Sequence, residues 1–184
     1  MEVKLTYHAH ACFTLEYRGA RAVIDPYAPG MIPGAPDLHL EAEAVYCSHT
    51  HADHNFTQAV ELKTAPSLPW TVTEFETPHD DCNGAKRGMN TVRIFNCGGI
   101  RVAHLGDLGH DLDDQEIEEL GQLDAVLIPI GGTYTLDCQQ ASDLADKLQV
   151  KTVIPMHYRR GDMGFEVLQT LQEFLLLRPG YQEL

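Results

Sequence analysis

The segment His49-Thr50-His51-Ala52-Asp53-His54 places three imidazoles and one carboxylate within six residues. The residues directly before it, 44–47, predict a short buried strand, so the polar side chains follow the end of a strand. Neutral imidazole nitrogens and carboxylate oxygens are the ligands that Zn²⁺ and related first-row metals prefer. Along extended backbone the first two histidines point to the same side, and a turn lets the last two residues face a second point nearby. The segment therefore predicts two metal ions held side by side.

Two metal ions need more ligands than this segment supplies, and three further candidates lie at predicted strand ends or in adjoining loops. His79 opens the loop after one predicted strand, Asp107 follows a later strand, and His157 comes directly after the last strand. Ligands delivered from several strand ends meet at one edge of a sandwich, where a rigid scaffold holds them. We therefore expect these side chains to converge on the first segment.

Composition and charge predict a folded, acidic protein. The length suits one domain over residues 1–184, and 43% hydrophobic with 22% charged residues is unlike a disordered chain. Thirteen Lys and Arg against 27 Asp and Glu give a formal net charge of −14, which repels phosphate backbones and argues against nucleic-acid partners. Five scattered cysteines, no visible signal peptide and no membrane-length apolar run favour a cytoplasmic protein without membrane partners.

Hydrophobic patterning predicts mostly strands in the first two-thirds of the chain and alternating strands and helices in the last third. The predicted strands are 3–7, 12–17, 20–24, 45–48, 70–76, 91–96, 100–105, 125–130 and 152–155. The predicted helices are 56–63, 113–120, 137–148 and 165–176. This order predicts a mixed α/β fold with two sheets packed face to face and helices outside.

The order H-T-H-A-D-H, a lone histidine, G-D after a strand and a histidine after a late strand resembles the metallo-β-lactamase-fold hydrolases. The similarity spans most of the chain, from Thr6 to Tyr158. Segments 10–13, 24–26, 104–110, 129–134 and 154–158 look closest to the branch that contains ascorbate-6-phosphate lactonase-like proteins and metal-dependent hydrolases of unknown substrate. The resemblance implies a four-layer αββα sandwich and a metal-dependent hydrolase.

Carried over position by position, the resemblance implies a dinuclear metal site. One metal ion would be held by three histidines, His49, His51 and His79. The second would be held by Asp53, His54 and His157, with Asp107 bridging both ions opposite a shared water or hydroxide. We expect Zn²⁺, with Mn²⁺ or Fe as alternatives.

The third histidine of the first ion is open to a rival. Many relatives carry it in the context G-H-T-P-G-H, whereas His79 lies in T-P-H-D-D. His104, three residues before Asp107, is the alternative ligand. Its other interpretation is a packed histidine that orients a ligand from behind.

Further residues are candidates for orienting a ligand or contacting substrate. His10 and Asp25 follow early strands, and their alternatives are core packing for His10 and turn capping for Asp25. The basic pairs Lys86-Arg87 and 159–160 flank the late histidines and would hold an anionic group, unless they form ordinary surface ion pairs. Tyr134 would donate a hydrogen bond to a substrate oxygen or simply pack in its loop.

The sequence thus predicts a metal-dependent hydrolase acting on a small molecule. Hydroxide shared between two divalent cations would attack an ester, lactone or phosphoester of an anionic or neutral substrate. Asp107 would bridge the cations, and Asp53 or a metal-bound water would help protonate the leaving group. The alternatives are a nuclease or phosphodiesterase of the same fold, an iron-dependent redox enzyme and a non-enzymatic metal-binding protein. The sequence is compatible with an oligomer.

Overall fold

The computed structural model describes residues 2–180, in which nine strands precede the first α-helix and helices then alternate with the last two strands. The strands are β1 (Lys4–Ala9), β2 (Cys12–Tyr17), β3 (Ala20–Ile24), β4 (Leu40–Ala42), β5 (Ala44–Tyr46), β6 (Val60–Leu62), β7 (Thr71–Pro78), β8 (Met89–Cys97), β9 (Ile100–His104), β10 (Ala125–Pro129) and β11 (Thr152–Met156). The helices are α1 (Asp114–Leu120), α2 (Cys138–Leu148) and α3 (Leu171–Leu177).

The strands assemble into two main sheets. The first has the order β1-β2-β3-β5, an antiparallel meander with β5 added parallel to β3. The second has the order β11-β10-β9-β8-β7, antiparallel from β7 to β9 and parallel from β9 to β11. Strands β4 and β6 form a small parallel pair of their own.

Alternation of side chains along the strands determines which residues fill the space between the sheets. Phe13 and Leu15 of β2 pack in one cluster with Phe95 and Leu127 of the second sheet. Cys12, their neighbour on β2, joins a different cluster on the outer face of the first sheet. The two main sheets are therefore packed face to face, as predicted.

The outer faces of the sandwich differ from each other. On the second sheet, Val126 and Ile128 belong to a cluster with Leu144 of α2 and Phe174 of α3. The outer face of the first sheet is instead covered by the loop after β3 and by residues around β4 and β6. Within residues 2–180 this second outer layer contains a single 3-10 turn, Thr57–Ala59, and no α-helix. The mixed α/β sandwich is confirmed, with the outer layer over the first sheet lighter than the αββα scheme.

Two predicted helices are wrong in part. Segment 56–63 forms the 3-10 turn and then β6, because Val60–Leu62 pairs with β4. Segment 165–176 becomes helical only at Leu171, where Thr170 and Glu173 form a capping box. The residues before that cap are held away from helix by main-chain bonds, such as the one from the Gln169 N–H to the Gly131 carbonyl. In both segments tertiary pairing overrides local pattern.

None of the helices in residues 2–180 combines the length and the apolar character required to cross a bilayer.

Candidate metal centre

The candidate ligands all lie just beyond the carboxyl ends of strands, at one end of the sandwich. Segment 49–54 follows β5, and His79 directly follows β7. Asp107 lies three residues after β9, and His157 directly follows β11. Hydrogen-bonded strands fix the main chain at each of these points, so the side chains are presented from a rigid frame.

The carboxylate of Asp107 lies at the centre of the arrangement. Its Oδ2 atom is 3.2 Å from Nε2 of His54 and 3.2 Å from Nε2 of His157. The same oxygen is 3.3 Å from Nε2 of His79 and 3.9 Å from Nε2 of His49. One buried oxygen therefore faces histidines from both sets that the resemblance implies.

The donor atoms around this carboxylate form two groups, and a third set, His49, His54 and Asp107, joins them. His49, His51 and His79 form one group, and His10, Asp53, His54 and His157 form the other; within each, the donor atoms lie within 4.8 Å of one another. Two ligands on opposite sides of one ion, with bonds of about 2.0–2.2 Å, are about 4.4 Å apart. The spacing thus suits one cation per group. The grouping matches the two sets implied by the resemblance, with His10 added.

Several of these buried donor atoms lack hydrogen-bond partners among the described residues. They include Nε2 of His49, Nε2 of His54, Oδ1 of Asp107 and both ring nitrogens of His10. A buried polar atom without a partner costs about 1–3 kcal/mol, so a cluster of them is unfavourable unless something binds there. A cation with an imidazole and carboxylate ligand set fits these atoms.

The local charges favour the ligand forms of most of these groups. Burial lowers the pKa of His49 to about 3, with His54 acting in the same direction, so its imidazole is neutral. Burial would raise the pKa of Asp107, but His157 and His54 outweigh it and hold that pKa well below its usual range. Burial lowers the pKa of His54, but Asp107 and Asp25 outweigh burial and raise it well above its usual value. The position of His54 between two carboxylates favours a positive charge there, which a metal ion would supply.

Asp25 and Ser48 orient ligands of both groups. Oδ2 of Asp25 is 2.9 Å from Nδ1 of His54 and accepts a 2.6 Å hydrogen bond from the hydroxyl of Ser48. The Ser48 N–H donates to the other carboxylate oxygen at 2.6 Å, and its hydroxyl lies 2.9 Å from Nδ1 of His49. Such contacts fix the ring orientation and tautomer of a ligating histidine. Asp25 therefore lies where it can orient a ligand, one of the two roles considered for it in the sequence analysis. Ser48 was not identified there, although it directly precedes His49.

We expect Asp25→Asn to weaken metal binding by about 10- to 100-fold, the range for partners that support ligands. The amide cannot accept hydrogen bonds at both positions, so the rings of His49 and His54 lose their fixed orientation. Asparagine tolerates the left-handed backbone of residue 25, whose φ is 50°. Competition with a metal chelator measures the effect, and Asp143→Asn, an exposed change on α2, is the control. Wild-type affinity in Asp25→Asn would contradict the assignment.

The main chain of Asp107 is held by Asn90, a residue the sequence analysis did not identify. The side-chain oxygen of Asn90 accepts a 2.8 Å hydrogen bond from the Asp107 N–H, and its amide nitrogen donates to the Leu105 carbonyl at 2.9 Å. Gly106 lies between Leu105 and Asp107 with a φ of +57°. A Cβ at this position would come within 2.1 Å of the side-chain oxygen of Asn90. The sequence carried no clear signal for this role, because Asn90 lies just outside predicted strand 91–96 and its burial is seen only in the structure.

The structure places His79, and not His104, in the first donor group, together with His49 and His51. Nε2 of His104 donates to the Ala11 carbonyl at 2.9 Å, and its Nδ1 accepts from the Gly106 N–H at 3.1 Å. Both ring nitrogens of His104 are thereby used by the main chain. The His79 ring, in contrast, contacts Asp107, and Gly109 packs so closely that a Cβ would lie 2.4 Å from the His79 carbonyl carbon.

A pocket of about 240 Å³ opens onto the candidate centre. It is lined by His51, Asp53, His79, Arg87, Asp107, Tyr134, His157 and Phe165. Arg87 and Tyr134 were candidates from the sequence, and the structure brings both to this pocket. Phe165 was missed, because segment 165–176 was assigned entirely to a helix.

Arg87 is held at the pocket by the loop that follows His79. The carboxylate of buried Asp80 accepts main-chain hydrogen bonds from residues 82, 84, 86 and 87 at 2.8–2.9 Å. The Arg87 guanidinium donates to the Thr133 carbonyl at 3.1 Å and lies 5.3 Å from the centre of the Tyr134 ring. Lys86 instead pairs with Asp81 on the exposed side at 3.0 Å. Of this basic pair, Arg87 faces the pocket and Lys86 forms a surface ion pair.

Comparisons with known proteins give family matches over most of the chain. The family model described as a beta-lactamase superfamily domain matches residues 4–157. A UPF0173 metal-dependent hydrolase of Methanoculleus marisnigri is 30% identical over 205 aligned residues, covering 94% of this chain and 87% of the relative. A Geobacillus relative with the same family description is 26% identical and covers 96% and 93%.

Two solved structures agree with these matches. A candidate Zn-dependent hydrolase of the metallo-β-lactamase superfamily from Thermotoga maritima is 33% identical, with a TM-score of 0.73 and coverage of 96% of this chain and 86% of the other. Igni18, a metallo hydrolase from Ignicoccus hospitalis, is 25% identical, with a TM-score of 0.63 and coverage of 95% and 89%. The closer likeness to ascorbate-6-phosphate lactonase-like proteins stays a prediction. The chain therefore belongs to the metallo-β-lactamase superfamily and, within it, to the UPF0173 metal-dependent hydrolases.

Proposed function

We propose that this chain is a two-metal hydrolase that cleaves an ester, lactone or phosphoester of a small anionic substrate. The observation that carries the proposal is the position of the Asp107 carboxylate, 3.2–3.9 Å from histidines of both donor groups. A single carboxylate shared by two donor groups suits two adjacent cations better than one tetrahedral site.

Each group would hold one ion, and the bridge would be the Asp107 carboxylate. The first ion would be bound by His49, His51 and His79, and the second by Asp53, His54 and His157. Zn²⁺ is the expected metal, with Mn²⁺ or Fe as alternatives. When bound, two such cations lower the pKa of water and polarise the electrophilic oxygen of a substrate.

Asp53 is the carboxylate that we assign to proton transfer. Its side chain is 20% exposed and lines the pocket, whereas that of Asp107 is 3% exposed. Both carboxylates line the pocket, but a leaving group there meets more of the Asp53 carboxylate than of the Asp107 carboxylate. The role of Asp53 would be to accept the proton that the attacking water loses and to deliver it to the leaving-group oxygen, which must be neutralised as its bond breaks.

We assign Arg87 to binding the anionic group of the substrate. Its guanidinium is the basic side chain among the pocket residues, in a chain with a formal net charge of −14. Contacts with Thr133 and Tyr134 hold it in place, so less conformational freedom is lost when an anion binds. Guanidinium groups bind carboxylate and phosphate through paired hydrogen bonds.

We expect Arg87→Gln to raise KM for an anionic substrate by about 10- to 100-fold, because a hydrogen bond to a charged group contributes about 1.5–3 kcal/mol. The KM of an uncharged analogue of the same ester or lactone should change little. The matched control is Lys86→Gln, which removes the neighbouring charge from the exposed side of the loop. Equal effects of the two variants on the anionic substrate would refute the assignment.

The proposed function is tested first by metal content and then by hydrolysis. Protein purified without added metal, or reloaded with Zn²⁺ or Mn²⁺, should contain close to two ions per chain. The loaded protein should hydrolyse members of a panel of lactones and phosphoesters, each with and without a charged group. A single ion per chain at saturation, or a fully loaded protein inert toward the whole panel, would contradict the proposal. Steeply salt-dependent nucleic-acid cleavage or an iron chromophore would instead support the alternatives.

A further inference from the structure

His10 is a buried histidine whose ring has no hydrogen-bond partner among residues 2–180. The whole residue is 1% exposed to solvent, and both ring nitrogens, Nδ1 and Nε2, are buried and unpaired. Nε2 lies 3.4 Å from Oδ2 of Asp53, and the ring is 3.9 Å from the His157 ring, centre to centre. We infer that His10 is a direct ligand of the second metal ion. This inference rests on the two-metal function proposed above.

A histidine that only fills the core would resemble His104. That ring is equally buried, yet the main chain uses both of its nitrogens. His10 has the opposite environment: donor atoms of Asp53, His54 and His157 lie within 4.8 Å of its own, and no main-chain carbonyl or N–H of residues 2–180 is bonded to its ring. Buried nitrogens without hydrogen-bond partners are unfavourable in such a place unless a cation binds there.

The backbone keeps the His10 ring beside the other donors. Its φ is 57°, and that of His157 is 53°, both in the left-handed region that is uncommon for residues other than glycine. The His157 N–H donates to the His10 carbonyl at 2.8 Å, which joins the two strand ends. Phe165 covers the ring from the pocket side, with its ring centre 5.6 Å away and edge-on. Strained backbone of this kind persists where surrounding structure holds it and is concentrated at functional sites.

The two ions would then have different coordination. With Asp107 shared, the first ion has four protein donors and the second has five: His10, Asp53, His54, His157 and Asp107. Zn²⁺ favours four ligands, whereas Mn²⁺ and Fe²⁺ accept five or six. The second site is therefore expected to bind Mn²⁺ or Fe²⁺ more readily, relative to Zn²⁺, than the first.

The test removes the imidazole of His10 without changing the backbone. His10→Asn and His10→Asp both tolerate a left-handed residue, and only the second returns an anionic donor. The matched control is His8→Asn, on β1 two residues before His10, where the histidine contacts Thr14. Metal content and Kd are measured by dialysis against chelator-buffered Mn²⁺ and Zn²⁺. Coordination is followed by visible absorption of the Co²⁺-loaded protein, which strengthens as coordination number falls.

In His10→Asn we expect the Kd of the second ion to rise by about 100-fold or more, above the range for residues that only support ligands. The first ion and the control should be unaffected, and the Co²⁺ absorption of the second site should strengthen. His10→Asp should bind both ions with a spectrum that differs from the wild type. If His10→Asn does not fold, the His10→Asp spectrum decides, and a wild-type spectrum overturns the inference.

Three results separate this inference from the proposed function. Two ions bound in His10→Asn with wild-type Kd and spectrum would show that His10 is a packing residue. Equal loss of both ions would also overturn its assignment to the second site. A wild-type protein that saturates with a single ion would instead contradict the two-metal proposal itself.

Discussion

Asp107→Asn is expected to remove both metal ions from a folded protein and to abolish hydrolysis. Among the carboxylates in the described part of the chain, that of Asp107 is the one with an oxygen within 4 Å of ring nitrogens from both donor groups. An amide carries no charge, and its NH₂ group would face imidazole nitrogens in place of a cation. We expect metal affinity to fall by more than about 100-fold, beyond the effect of supporting residues. Activity should fall by roughly 1,000-fold or more, because ligand loss removes the electrostatic stabilisation of the transition state.

The measurement combines metal analysis with thermal unfolding. In the wild type, added Zn²⁺ should raise Tm, since a ligand at 100 times its Kd stabilises the native state by about 2.7 kcal/mol. In Asp107→Asn this rise should vanish while circular dichroism stays native. Asp53→Asn is the matched comparison, because Asp53 belongs to the second group alone and its loss should spare the first ion. Identical metal loss in the two variants would show that Asp107 is not shared.

The second large effect is expected for His79→Ala, which should lose the first ion and nearly all activity. His79 directly follows β7, and its Nε2 lies 3.3 Å from Oδ2 of Asp107, in the same group as His49 and His51. Removing His79 leaves two imidazoles and the shared Asp107 carboxylate, which should bind the first ion much more weakly. We expect the decrease in activity to exceed about 100-fold.

His104→Ala is the matched variant for this prediction. Its imidazole is equally buried but hydrogen-bonds to the main chain of Ala11 and Gly106. We therefore expect it to keep both ions, to unfold at a lower temperature and to lose activity only about 10- to 100-fold. Metal analysis of the two variants side by side decides the question. Metal lost from His104→Ala and kept in His79→Ala would reverse the assignment.

Local sequence patterns predicted most strands and the main candidate ligands. Strand β10, five apolar residues buried on both faces, and helix α2, amphipathic and capped by Asp137, were both evident from residue type and spacing. Segment 49–54, close behind the end of β5, predicted a metal site for the same reason. These features depend on neighbours along the chain, so the sequence contains the information directly.

The errors and omissions depend on contacts between residues far apart in the chain. Segment 60–62 became a strand only because β4 lies beside it, and Asn90 matters only because it meets Asp107. The proximity of His10 to His157, from the two ends of the domain, cannot be read from spacing along the chain. The sequence by itself determined the ligand types, the strand ends that carry them and the superfamily. Only the tertiary structure decided which side chains share a centre, because that depends on how the two sheets pack and where each strand end comes to lie.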